Sequence, residues 1–227
     1  MRIQIVALFV AVLAVSLFAS AGAEEAKSIF DGETLEGWEG KDFWTVEDGA
    51  ITGRTTKEKP TQGNTFLIWK DGELEDFELN LKFRIVGGNS GIQIRSKDLG
   101  DSRVGGYQAD FDAGNGWTGS LYEERGRGIL AKRGNKVEIT EDGKKNNVGA
   151  TTPEKEIIES VKKEDWNDYT IIAKGNQLTF KVNGLTTIEL TDKQASKAAE
   201  KGILALQLHA GPPMTVQFKD ITLKVIE

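Results

Sequence analysis

Residues 77–85 alternate apolar and polar without a break: Phe77, Leu79, Leu81, Phe83 and Ile85 fall on one side, and Glu78, Asn80, Lys82 and Arg84 on the other. Successive side chains of a strand point to opposite faces, so this segment buries one face and wets the other. It is a half-buried antiparallel strand, and its apolar face has to meet a second layer. Similar short runs follow at 91–96, 107–112, 120–124, 169–173, 178–182, 203–209 and 215–225, most of them separated by Gly, Asn or Asp. Residues 44–46 and 50–53, joined through Asp48-Gly49, predict a hairpin, and Asn183-Gly184 predicts a second tight turn. Many short strands at close spacing specify an all-β, two-sheet antiparallel sandwich.

Helical periodicity is scarce. Residues 191–201 are expected to form a short helix between a Thr191 N-cap and the Gly202 stop, and 154–163 another behind Pro153. The Gly-, Lys- and Asn-rich stretch 125–152 has little periodicity and is expected to form long loops on one rim. In the last strand the apolar phase changes between Phe218 and Ile221, which predicts a bulge near Asp220.

The chain has 227 residues, 26 of them Gly and only 4 Pro, which fits one ordinary globular domain. With 29 Lys plus Arg against 35 Asp plus Glu, its net charge of −6 disfavours a nucleic-acid partner. It has no cysteine, hence no disulfide, thiolate ligand or thiol nucleophile. At the N-terminus Arg2 precedes an apolar run over 3–18, then Ala21 and Ala23 stand in an A-x-A pattern ahead of Glu24. That reads as a signal peptide over 1–23, with an uncleaved anchor helix as the alternative. The expected product is an exported, periplasmic or secreted domain over 24–227, and no later run is long enough to span a membrane.

The same period of two sorts the chemistry. With Ile92, Ile94, Tyr107, Ala109, Phe111, Leu121, Leu204, Leu206 and Leu208 inside, the outward positions are Gln93, Arg95, Gln108, Asp110, Asp112, Ser120, Tyr122, Glu124, Gln207 and His209. If these strands share a sheet, one open face gathers amides, carboxylates, a guanidinium, an aromatic and the chain's single histidine. Sugar hydroxyls need paired donors and acceptors, and ring C–H faces need an aromatic, so such a face suits carbohydrate. A solvated sheet face is the plain alternative. There is no G-x-S-x-G elbow, dinucleotide fingerprint or phosphate loop, and one histidine without cysteine disfavours zinc. A structural calcium held by loop oxygens around Asp112, Gly114 and Asn115 is the one metal the sequence offers.

These residues resemble the 3-keto-disaccharide hydrolase domain family of the concanavalin A-like lectin/glucanase superfamily. The resemblance is carried in order by Ile29-Phe30-Asp31-Gly32, Leu35-Glu36-Gly37-Trp38, Asn89-Ser90-Gly91-Ile92 with Arg95, and Gly106-Tyr107-Gln108. It continues through Gly119-Ser120-Leu121-Tyr122, Trp166-Asn167, Val182-Asn183-Gly184, Gly202-Ile203 and Leu206-Gln207-Leu208-His209. It implies a jelly-roll sandwich and cleavage of 3-keto-glycosides: a base removes the C2 proton, the aglycone leaves C1, and water adds. Arg95 is thereby expected at the C3 oxyanion, His209 or Asp110 as base, and Glu124 or Tyr122 as acid. Gln93, Gln108, Asp112 and Gln207 are expected to bind substrate. No nicotinamide site is implied, so a separate sugar 3-oxidoreductase would supply the ketone. Relatives often carry an acidic residue two places before the glutamine, where this chain has Gly106. A lectin-like binding module on the same fold is the alternative. A glucanase lacks its Glu-x-Asp-x-x-Glu strand here, and a structural domain of the cell envelope ranks last.

Overall fold

A computed structural model describes residues 25–226; the signal-peptide expectation falls outside them. Two sheets form the sandwich. The larger has ten strands, in the order β12 (Lys145–Ala150), β11 (Asn135–Ile139), β15 (Leu185–Asp192), β14 (Gln177–Val182), β13 (Asn167–Lys174), β6 (Phe77–Val86), β17 (Met214–Val225), β4 (Ala50–Thr55) and β3 (Trp44–Glu47), with β1 (Lys27–Ser28) also on β17. The smaller runs β10 (Gly128–Ala131), β9 (Leu121–Glu124), β8 (Val104–Asp112), β7 (Asn89–Asp98), β16 (Ile203–Leu208), β5 (Thr65–Trp69) and β2 (Trp38–Glu39). This is the all-β jelly-roll sandwich. One pair, β11 with β15, is parallel, and all the others are antiparallel.

The alternation in β6 puts Phe77, Leu79, Leu81, Phe83 and Ile85 into the core, where they meet Ile92, Ile94, Ala109 and Phe111 from the other sheet. Phe83 and Phe111 pack with ring centroids 4.2 Å apart and tilted by 39°. The Asp220 bulge is present: the β17–β6 register breaks between Lys219 and Thr222, and Asp220 takes φ +52°. The Asp48-Gly49 hairpin and the Asn183-Gly184 turn form as the sequence predicts.

Two local expectations fail. Residues 191–201 are not helical, because Thr191 and Asp192 finish β15 and the buried Asp192 carboxylate is held by Tyr107 and Arg127; only a turn follows at Gln194. Long-range pairing overrides a local helix pattern there. Residues 125–152 are not long loops but contain β10, β11 and β12: β10 folds back on β9, β12 folds back on β11, and β11 is fixed by parallel pairing with β15, far along the chain. The helix α1 (Glu154–Ser160) forms, shorter than expected, since Val161 already turns to extended backbone.

Candidate functional site

The four middle strands β9, β8, β7 and β16 carry the site on the outer face of the smaller sheet. A cleft of about 530 Å³ opens there, lined from these strands by Gln108, Asp110, Asp112, Tyr122, Glu124 and Gln207, with His209 just past β16. Period two brings together seven of the nine expected side chains from three strands and their ends.

The cleft floor is a chain of amides. Gln207 Nε2 and Gln93 Nε2 both donate to Gln108 Oε1, at 2.9 and 2.6 Å, which forces the Gln108 nitrogen outward. That nitrogen donates to Asp110 Oδ1 at 3.0 Å. Asn89 Nδ2 approaches the same carboxylate oxygen at 3.5 Å. Space for this chain comes from Gly91, which pairs with Asp110 in the ladder. A Cβ there would stand 2.4 Å from Gln108 Cγ, so any other residue would expel the amide.

Asp110 is buried to 8% exposure, and no Lys or Arg among the described residues lines the cleft around it. Burial pushes its carboxyl up to about 7; the Gln108 and Asn89 amides pull against that, and the negative charges of Asp112 and Glu124 add to it. A carboxyl that exchanges its proton near neutrality, reachable from a cleft, suits acid–base chemistry. Glu124 stands at the other side, its Oε1 3.4 Å from Asn64 Nδ2. The His209 Nδ1 lies 2.5 Å from the Ala210 carbonyl, which can only accept, so the proton is assigned to Nδ1 and the neutral ring keeps Nε2 as its acceptor.

Asp112 works differently from the other carboxylates. Its oxygens accept the backbone N–H groups of Gly116 and Trp117 at 3.0 and 2.7 Å, closing the turn that presents the half-exposed Trp117 indole at the cleft rim. Each Asp112 oxygen thereby carries one backbone hydrogen bond, and no group of three or more His, Cys, Asp or Glu that could hold a metal occurs among the described residues.

Arg95 is not in the cleft. The ladder pairs Ile94 with Tyr107 and next Lys97 with Gly105, so Arg95 and Ser96 together oppose Gly106 in a bulge, with Arg95 at φ +44°. The extra residue reverses the phase. Ser96 takes the outer face and donates to Gln93 Oε1 at 2.7 Å, while Arg95 turns inward with 2% exposure. Its guanidinium donates to the Glu75 and Gly175 carbonyls and pairs with Asp76 at 2.8 Å, joining the sheets at one end of the sandwich. Gly106, at φ +146°, is required by the same bulge, since a Cβ would meet Ser96 Oγ at 2.5 Å. An acidic side chain has no room there. Gln93 is likewise wholly buried, and it braces Gln108 without lining the cleft.

The sequence pattern of the 3-keto-alpha-glucoside-1,2-lyase-like domain matches residues 25–224. The chain belongs to that family. Its fold is shared with a candidate glycosyl hydrolase from Parabacteroides distasonis, 20% identical, with a TM-score of 0.60 over 89% of this chain and 100% of that one. A carbohydrate-binding module from Bacillus subtilis, 15% identical, aligns with a TM-score of 0.56 over 83% and 95% of the two chains. At such identities the likeness concerns the fold alone. No curated protein matches the chain. Within this carbohydrate-active family, the lining residues that sequence reasoning missed are Asn64, Trp117 and Ile129, together with the space-making Gly91. Gly91 and Asn89 stood in a family motif, but nothing local marks Asn64 or Ile129, which reach the cleft only through strand order.

Proposed function

We propose that this chain cleaves 3-keto-glycosides by elimination across C1 and C2, with Asp110 as the base. The observation that carries the reading is a buried carboxyl raised to about 7 at the floor of an open, amide-lined cleft. Ionised Asp110 takes the C2 proton, whose acidity the neighbouring ketone raises, and the C2–H electron pair enters a C2=C3 enolate. The enolate reforms the C3 carbonyl, C1=C2 forms, and the C1–O bond breaks. The departing oxygen takes a proton from Glu124 or Tyr122, and water adding across C1=C2 restores C2–H and yields the free 3-keto sugar. With Arg95 elsewhere, the C3 oxyanion is left to neutral amide donors, of which Asn89 stands beside Asp110. The ketone is supplied by a separate sugar oxidoreductase, and residues 1–23 export the chain.

Wild-type protein should exchange the C2 proton of a 3-keto-glucoside with deuterated water and release the aglycone. Asp110→Asn should lower both by about a hundredfold or more, the usual contribution of a positioned base. Exchange unaffected by that change overturns the assignment. The neutral amide floor with the half-exposed Trp117 at its rim also suits a second reading, a carbohydrate-binding module; saturable sugar binding without exchange on any 3-keto-glycoside would establish it.

A further inference from the structure

Asn64 lines two depressions. One is the cleft; the other is a groove of about 470 Å³ running from it past Thr61, Phe43, Arg103 and Arg125. Glu124, one of the two groups proposed to protonate the departing oxygen, sits at the junction and accepts from the Asn64 amide at 3.4 Å. The next residue in the chain, Arg125, belongs to the groove.

The two depressions have opposite charge. Asp110, Asp112 and Glu124 line the cleft, and no Lys or Arg does so among the described residues. The groove has Arg103 and Arg125 against a single acid, Asp101, which pairs with Arg103 at 3.0 Å. Arg125 is exposed and has no hydrogen-bond or ion-pair partner among the described residues. In a chain of net charge −6 an unpaired guanidinium beside a cleft is out of keeping with its surroundings. The Thr61 hydroxyl, also on the groove, is buried without a partner. A group lying there needs an oxyanion for Arg125.

We propose that this groove holds the leaving group of the glycoside and selects one bearing an oxyanion, a carboxylate or a sulfate ester, an inference that rests on the cleavage reading above. An anionic ring is repelled from the cleft by the Asp110 and Asp112 carboxylates and drawn to the groove by a guanidinium that can bind it in two-pronged fashion. The substrate therefore enters in one direction, with the neutral 3-keto ring over Asp110 and the acidic partner over Arg125. This places the scissile oxygen at Glu124.

The test compares 3-keto-glucosides with a neutral sugar, a uronic acid and a sulfated sugar as leaving group, on the full chain at low salt. We expect kcat/KM for at least one acidic leaving group about tenfold above neutral, with the ratio shrinking as salt rises. The two acidic arms tell carboxylate from sulfate. In R103Q/R125Q the ratio should fall to near one, while R125K keeps part of it; both variants are compared by thermal melting, and R125K decides the matter if the double variant does not fold. A neutral leaving group handled as well as either acidic one, or a ratio that survives R103Q/R125Q, overturns the proposal. If no 3-keto-glycoside is cleaved, the cleavage reading fails, and the groove is judged by calorimetric titration of the unoxidised acidic and neutral disaccharides. Binding of acidic sugar lost in R103Q/R125Q upholds the groove, and equal or absent binding overturns it.

Discussion

Two of the buried polar clusters are built on opposite terms. At one end of the sandwich Arg127 donates to Glu123 at 2.8 Å and Asp192 at 2.7 Å, Asp192 also accepts the Tyr107 hydroxyl at 2.6 Å, and Arg95 pairs with Asp76 nearby. Burial acts to lower the Arg127 pKa, but its hydrogen bonds to Glu123, Asp192 and Tyr107 outweigh that and raise it; the Tyr107 hydroxyl is held high by burial and the Asp192 carboxylate. Every charge there has an opposite charge. On the outer face Asp110 has only neutral amides, so its charge stays uncompensated and its proton is exchangeable near pH 7. Matched burial makes a strut, and unmatched burial makes a titrating group.

The largest expected effect follows from removing one charge from each cluster. Asp192→Ala strips Tyr107 of its carboxylate acceptor and leaves Arg127 with Glu123 as its one remaining carboxylate, and should cost about 3 kcal/mol in denaturant unfolding, as a broken buried pair does. Asp110→Asn should act with the opposite sign. Below about pH 4 folded and unfolded chains both hold the Asp110 proton; as pH rises to about 7 only the unfolded chain releases it, so this group's share of stability is lost across that window. Asp110→Asn should remove the slope and leave the protein more stable above pH 7 by on the order of a few kcal/mol. In the wild type, turnover should climb through about pH 7 as the base ionises. A variant that loses stability there would show that the carboxylate is compensated after all.

Arg95→Ala should behave as damage to the strut. We expect roughly 3 kcal/mol of destabilisation from the stranded Asp76 and the two unpaired carbonyls, with C2 exchange per folded molecule unchanged. A large loss of exchange at full stability would put Arg95 back in the reaction. The smallest effect is at the rim: Trp117→Ala should raise KM about fivefold, near 1 kcal/mol of lost aromatic contact, and leave kcat alone.

The sandwich was legible because alternation in a strand directly reports which side is wet, and β6 in the larger sheet obeys it along its whole length, as β8 does at the site. By the same rule Gln108, Asp110, Asp112, Tyr122, Glu124, Gln207 and His209 could be assigned to one face before any strand order was known. Periodicity fails wherever a residue is inserted, and a bulge depends on two strands at once. Arg95 carries no local sign that Gly106 will stand opposite, so its change of face was decided only when β7 met β8. The parallel pairing of β11 with β15 and the extended end of β15 were invisible for a related reason, since those partners lie far along the chain. The sequence by itself determined the layers and the face that bears the chemistry. Tertiary structure decided which charges found partners, because burial and pairing are properties of neighbours that only folding supplies.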